Sequence, residues 1–311
     1  QAAVDAALPG SIVRIAEGSY HLPAGEAQVL RIDKSITLQG GYRISDWLTD
    51  PQPFSFPSIL DPQHLGRGIL IEGSETQPIQ VTLEGIQVHN GQADLGGGLS
   101  AAAVALTMSR CILSDNQATQ SGGGIFLSSD ASLDLSVSRV INNTAGDEGG
   151  GLALHTLTGS AALTRSWIFG NHAQSGGGGI SIDGGQARLE TIMLVDNSVN
   201  LPTAGGAGLT ADGAELTLFH TTIAHNTGGT GSGLDLTGTS ALTATNSIIA
   251  GQLIGVNLSS AASSAVIHGI LWGDGASWAN GHNTAGPGSV TISDAYTGDP
   301  LFAGLTADTL S

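Results

Sequence analysis

The sequence predicts an all-β fold, a right-handed parallel β-helix: a single-stranded solenoid with coils of about 25–29 residues. Three observations predict it. The chain is rich in glycine and poor in charge, a glycine cluster and an asparagine recur at a near-constant period, and apolar residues alternate within short segments of each period. Of 311 residues, 47 are glycine, 4% are aromatic and 11% are charged, while 40% are hydrophobic. A globular α/β protein carries about 25% charged residues, so this balance favours strands joined by tight turns over helices with solvated faces.

The period carries most of the argument. Asparagines stand at Asn90, Asn116, Asn143, Asn171, Asn197 and Asn226, each followed by a glycine cluster. The clusters end at Gly98, Gly124, Gly151, Gly179, Gly208 and Gly233, spaced by 26, 27, 28, 29 and 25 residues. Three residues before the asparagine lie Leu113, Val140, Ile168, Leu194 and Ile223. Eight before it lie Met108, Leu135, Leu163, Leu189 and Leu218, and ten before it Leu106, Leu133, Ala161, Ala187 and Leu216. A step of two is a strand with one buried face, whereas the step of five from the second set to the first requires a bend or bulge that re-aims the chain. A second short strand follows each glycine cluster, as in Ile125–Leu127, Leu152–Leu154, Ile180–Ile182 and Leu234–Leu236. With no helical pattern between the strands, each coil must pair in parallel with the next, about 4.8 Å away. Right-handedness follows from the bias of parallel crossovers.

In such a stack the asparagines are expected to mark a corner, taking the left-handed conformation and linking their amides into a ladder. The glycines suit positive φ and the close approach of successive turns. A phosphate-cradling role for them lacks both a helix start and a nearby lysine.

The chain is expected to form one domain over 1–311. Residues 1–40 read as an N-terminal cap and first coils, with 2–8 a helix or strand lidding the open end and strands at Ile12–Ile15, Leu30–Ile32 and Ile36–Leu38. Residues 41–68 break the period with four prolines and with Tyr42, Trp47, Phe54 and Phe56, and read as an excursion. It is either a flap packed on the wall or an aromatic platform, with Trp47, Phe54 and Phe56 as candidate binding residues for a sugar or a protein. Regular coils are expected over 69–250, and irregular coils and a cap over 251–311, with the natural protein continuing past Ser311. Gln1 falls inside a folded-looking segment, so the numbering is expected to begin on mature or recombinant sequence.

Charge narrows the partners. The net charge is −17, Lys34 is the lone lysine, and no Lys or Arg follows Arg188 for 123 residues. Nucleic acid is thereby disfavoured, as is an anionic membrane surface, and no transmembrane run points to membrane insertion of this segment. Such an acidic chain suits solubility, or calcium on carboxylates and carbonyls. Cys111 is alone, which rules out an internal disulfide.

Several segments resemble a known family. QAAVDAALPG at residues 1–10, ITLQGGY at 36–42 and PSILD at 57–61 are similar to the opening of bacterial right-handed β-helix repeat surface proteins. The Gly-Gly-Gly clusters with asparagine corners resemble polymorphic outer-membrane-protein-like repeats, and GDPLF at 298–302 resembles their closing motif. The resemblance implies a secreted or cell-surface bacterial protein, an adhesin or filament subunit, whose partners are its own copies or surface glycans and proteins. It also implies membership of the pectin-lyase-like superfamily, which includes pectate lyases and polygalacturonases, so a polysaccharide lyase or glycoside hydrolase is the alternative.

Pectin-cleaving members of that superfamily need clustered carboxylates, for calcium or acid–base work, and a cation facing the substrate. Arg110 and Arg165 share a coil position but stand two coils apart, about 10 Å. Asp115 and Asp196 also share one, three coils and roughly 14 Å apart, beyond the roughly 5–9.5 Å between paired glycosidase carboxyls. Asp183 and Asp212 each follow the last glycine of adjacent coils by four residues, which predicts stacking about 5 Å apart. They are the candidates for catalysis or for a calcium site, although both lie in Asp-Gly dipeptides that suit ordinary turns. No Ser-His-Asp, Cys-His or zinc spacing occurs, and His268 with His282 lacks a third ligand. The expectation is a non-enzymatic extracellular structural or adhesive protein without an obligatory cofactor, calcium being the one candidate.

Overall fold

In the computed structural model, which describes residues 1–300 apart from 75, 77, 129 and 156–158, the chain winds into a parallel β-solenoid of three long walls. Walls A and B each stack 11 strands and wall C stacks 10. One coil runs from wall C (Leu99–Ala102) to wall A (Val104–Ser109) to wall B (Ile112–Ser114), then returns to wall C at Ile125–Ser128. A fourth ladder of five two-residue strands, such as Thr144–Ala145 and His172–Ala173, lies between walls B and C.

Register follows from the apolar pattern. Leu106 pairs with Leu133 and Met108 with Leu135 on wall A, and Leu113, Val140, Ile168, Leu194 and Ile223 form one file on wall B. Stacking like on like fills the lumen with one continuous hydrophobic cluster from Val4 to Trp272. A one-residue slip would turn each of these files outward, so burial itself fixes the register.

The bend required between walls A and B is a single left-handed residue. Arg110, Val137, Arg165, Thr191, His220 and Asn246 occupy it in successive coils, with φ between 46° and 57°. Each is followed by a buried residue, often a hydroxyl, that ties one coil to the next: the N–H of Cys111 donates to Ser138 Oγ, and that of Ser138 to Ser166 Oγ, both at 3.0 Å.

Three expectations are corrected. The left-handed residue at the corner after wall B is not the ladder asparagine but the residue before it: Asp115, Asn142, Gly170, Asp196 and His225. The excursion is shorter than 41–68, because Ser58–Asp61 and Arg67–Glu72 are regular strands of walls B and C, leaving residues 43–57 as the insert. The coils also do not become irregular at 251. Strands Ile254–Leu258, Ser264–His268, Leu271–Gly273, His282–Ala285, Ser289–Ser293 and Tyr296–Gly298 keep parallel register, interrupted by one loop at 274–281. Apolar residues such as Val256, Leu258, Ala265 and Ile267 still fill the lumen there without the Asn and Gly signature.

The start of the stack is lidded by the short helix Ala2–Ala6, with Val4 buried beneath it. Lys34 Nζ donates to the carbonyls of Val4, Asp5 and Ala7 at 3.1–3.3 Å, holding that end in place. Among the described residues no helix is long and apolar enough to cross a membrane. Leu301 and Phe302 of the closing motif, with the rest of 301–311, lie outside the described residues.

Candidate functional site

The most developed polar arrangement is the amide file. Asn116, Asn143, Asn171, Asn197 and Asn226 are all buried, at 0–1% exposure. Each amide nitrogen donates to the Oδ1 of the next asparagine: Asn116 to Asn143 at 2.9 Å, then Asn143 to Asn171, Asn171 to Asn197 and Asn197 to Asn226 at 3.0 Å. The same oxygens also accept the backbone N–H of the asparagine below. The second amide proton goes to a wall B carbonyl of the previous coil, as from Asn143 to Leu113 O at 3.0 Å. From Asn116 to Asn197, every polar atom of these side chains is spent on neighbouring coils.

Asn90 is not in the file. The pairing of His89 with Ser114 puts Gly91 opposite Asn116, and Gly91 N donates to Asn116 Oδ1 at 2.8 Å. Asn90 belongs one position earlier, in the left-handed corner (φ 55°), where its amide donates to Asp61. The file instead extends the other way, to Gln252 and Asn280, which sequence spacing misses because Gln252 breaks the residue type and the 274–281 loop breaks the count. The N–H of Gln252 donates to Asn280 Oδ1 at 3.0 Å.

Glycines make the file possible. Gly149 opens its cluster at φ +64°, whereas Gly151 closes it without positive φ. A Cβ at Gly151 would meet the Gly179 carbonyl oxygen at 2.6 Å and Asn171 Cγ at 3.1 Å. Close approach, not torsion, excludes a side chain there.

Asp183 and Asp212 are register partners in adjacent coils at the outer end of wall C, and both are exposed. In that file His155 precedes them and Thr237 follows. Two exposed carboxylates supply few of the six to eight oxygens that calcium takes, and among the described residues no group of three or more His, Cys, Asp or Glu is placed to hold a metal. His268 Nδ1 instead contacts the Ser293 hydroxyl, and His282 lies exposed on a strand of wall C.

The three aromatic candidates do not share one platform. Trp47 stacks on Tyr42 with ring centroids 5.9 Å apart, near the lidded end. Phe56 lies under the Arg43 guanidinium at 4.5 Å. Phe54 reaches down wall B, 5.9 Å from the Arg139 guanidinium, which also covers Trp167 at 4.7 Å. Of the three, Phe56 lines a pocket of about 280 Å³, together with Tyr42, Arg43, Asp46, Thr49 and Asp50. Hydrogen bonds from the Thr49 hydroxyl and from the N–H groups of Leu48 and Thr49 hold the Asp46 carboxyl below its usual range.

Most cations are engaged within the chain. Arg14 donates to Trp47 O and covers Tyr42, Arg31 pairs with Glu72, and Arg67 donates to the Leu95 and Gly96 carbonyls. Arg110 pairs with Glu84, and Arg188 with Glu190. The Cys111 thiol is buried, and desolvation pushes it up to about 11, which makes it a packing residue and not a nucleophile.

Two polar clusters escape sequence reasoning because their members are far apart in the chain. Asp235, at 5% exposure, accepts hydrogen bonds from Asn257 Nδ2 at 2.9 Å and Ser259 Oγ at 2.5 Å, and burial pushes its carboxyl up. His225 stacks on Trp278 at 4.2 Å, its Nε2 is 3.0 Å from Ser277 O, and its Nδ1 is 3.8 Å from Asp196. This pins the 274–281 loop to the corner after wall B.

No family model matches the chain, and no curated protein does. A solved structure of the pectate lyase Pel9A is similar over 99% of this chain and 78% of its own, at 12% identity and a TM-score of 0.44.

Proposed function

We propose that this chain is a non-enzymatic structural or adhesive β-solenoid of a bacterial cell surface or extracellular filament. The observation that carries the reading is the buried amide file. The asparagines that the repeat places most regularly are consumed in joining coil to coil. Most of the cations are likewise tied to groups of the same chain. What such a coil repeats is a stiff rung with flat outer walls, a form suited to contact over length. Its partners are then copies of itself, or glycans and proteins of a surface.

The second reading is a polysaccharide lyase or glycoside hydrolase, favoured by the register pairing of Asp183 with Asp212. A screen of pectin, alginate and neutral glycans, with and without calcium, separates the two. The structural reading expects no turnover, an unfolding temperature unmoved by calcium, and assembly or surface adhesion by light scattering and electron microscopy. Turnover abolished by Asp183→Ala or Asp212→Ala would establish the enzyme instead.

A further inference from the structure

Wall B differs from the other walls in charge. Its eight strands from Ile112–Ser114 to Tyr296–Gly298 contain one charged side chain, Arg139. Over the same coils wall A carries Asp134, Arg188, Glu190 and Glu215, and wall C carries Asp183, Asp212 and Asp235, whereas the earlier wall B strand Ser58–Asp61 ends in a carboxylate. In a chain with 26 acidic residues and net charge −17, eight stacked strands without a carboxylate form a distinct surface. Its outward files hold Trp167, Phe169, Met193, Thr222, Ile248 and Leu271, all partly exposed.

Two ridges bound this face, at diagonally opposite corners. The flap lies at the wall A edge near the start, where Pro53 sits over Gly85 and its carbonyl accepts from Gln87. The 274–281 loop lies at the other edge near the end, held by Trp278 against His225 and by Gly251 N donating to Trp278 O at 2.7 Å. A two-fold axis in the plane of the face, along or across the solenoid, lays each ridge over an open corner of the other copy.

We propose that the open part of wall B, from Trp167 to Leu271, is the contact face between two copies of this chain. The proposal rests on the structural reading above and gives it a surface. Apolar files at one strand spacing are matched best by an identical surface, as an isologous contact requires. Two chains of like charge meet with least repulsion over strands that carry no carboxylates, Asp115 and Asp196 standing at the corner beyond them. A glycan would need more hydrogen-bonding groups than this stretch provides, where Thr222 stands in a file with Trp167, Met193, Ile248 and Leu271.

Sedimentation equilibrium of the purified chain over a concentration series tests it. The expected result is a dimer whose dissociation constant rises about tenfold or more in Met193→Glu and in Ile248→Glu, while Val266→Glu, on exposed wall A, leaves it unchanged. Thr222→Lys, at a partly exposed position flanked by buried Thr221 and Ile223, repeats the test with a charge of the other sign, and far-UV circular dichroism checks each fold. A dimer insensitive to all three wall B changes overturns the face while leaving the structural reading standing. A monomer that still adheres to cells or glycans does the same. A monomer that cleaves polysaccharide removes both.

Discussion

The amide nitrogen of Asn143 and its backbone N–H both point at one oxygen, Asn171 Oδ1, each at 3.0 Å. Asn171 in turn donates to Val140 O at 2.9 Å and to Asn197 Oδ1 at 3.0 Å. Asn171→Ala therefore leaves two donors and a carbonyl without partners in a buried site, a loss of about 3 kcal/mol or more. Asn90→Ala is a contrast, because Asn90 stands outside the file and loses one bond to Asp61. Its cost is about 1 kcal/mol, chiefly that of holding alanine in the left-handed region. Urea denaturation midpoints of the two variants measure the difference.

Gln252 is the one glutamine in the ladder. Its longer side chain turns back, Nε2 donating to Ala250 O at 3.1 Å, and its buried Oε1 has no partner. Asn226 therefore lacks the amide acceptor that Asn197 and Asn171 each have. Gln252→Asn restores an oxygen at that place and joins Asn226 to the segment ending at Asn280. The expected gain is about 1 kcal/mol, less than two hydrogen bonds would suggest because a methylene is lost from the interior. Thermal unfolding checks it.

Val137 holds a left-handed conformation at φ 49° and is 42% exposed. A β-branched residue is strained there, and the stack imposes it because the residue must turn the chain from wall A to wall B. Val137→Asn relieves strain without removing a buried contact and is expected to stabilise by about 1 kcal/mol. An unchanged or lower denaturation midpoint would contradict this account of the corner.

Asp235 gives the stack a pH dependence. Burial raises its carboxyl above the ordinary value of 3.8, against the hydrogen bonds from Ser259 and Asn257. The folded chain thus keeps this proton to higher pH than the unfolded chain. The group's contribution is fullest below 3.8 and is lost as pH rises through the shifted value. Asp235→Asn should raise the denaturation midpoint at about pH 7 and change it little at about pH 4. A gain that grows on acidification would reverse the sign.

What the sequence made legible is what repeats by residue type. The apolar files and the run from Asn116 to Asn226 follow from spacing, since the lumen is filled by apolar, chiefly aliphatic side chains and the amides stack at one buried corner. The corners themselves were illegible, because the left-handed places tolerate Arg, Val, Thr, His and Asp alike. Asn90 shows why: it has the residue type of the ladder, yet stands one position early, and Gly91 holds the ladder place. The last coils carry no asparagine and glycine clusters to mark their period, although Val256, Leu258 and Ile267 fill the lumen as their counterparts do. At the candidate site, the adjacency of Asp183 and Asp212 follows from counting, whereas the His225 cluster depends on the 274–281 loop, whose path no period records, and Asp235 meets Asn257 as a register partner in a coil that lacks the asparagine and glycine signature.

The measurement that bears most directly on the stacked coils is nuclear magnetic resonance of the asparagine side-chain amides. The account predicts through-space contacts in the order Asn116, Asn143, Asn171, Asn197, Asn226, with Asn90 outside the chain of contacts. Amides that show no mutual contacts, or a sequence of contacts that includes Asn90 in place of Gly91, would contradict it.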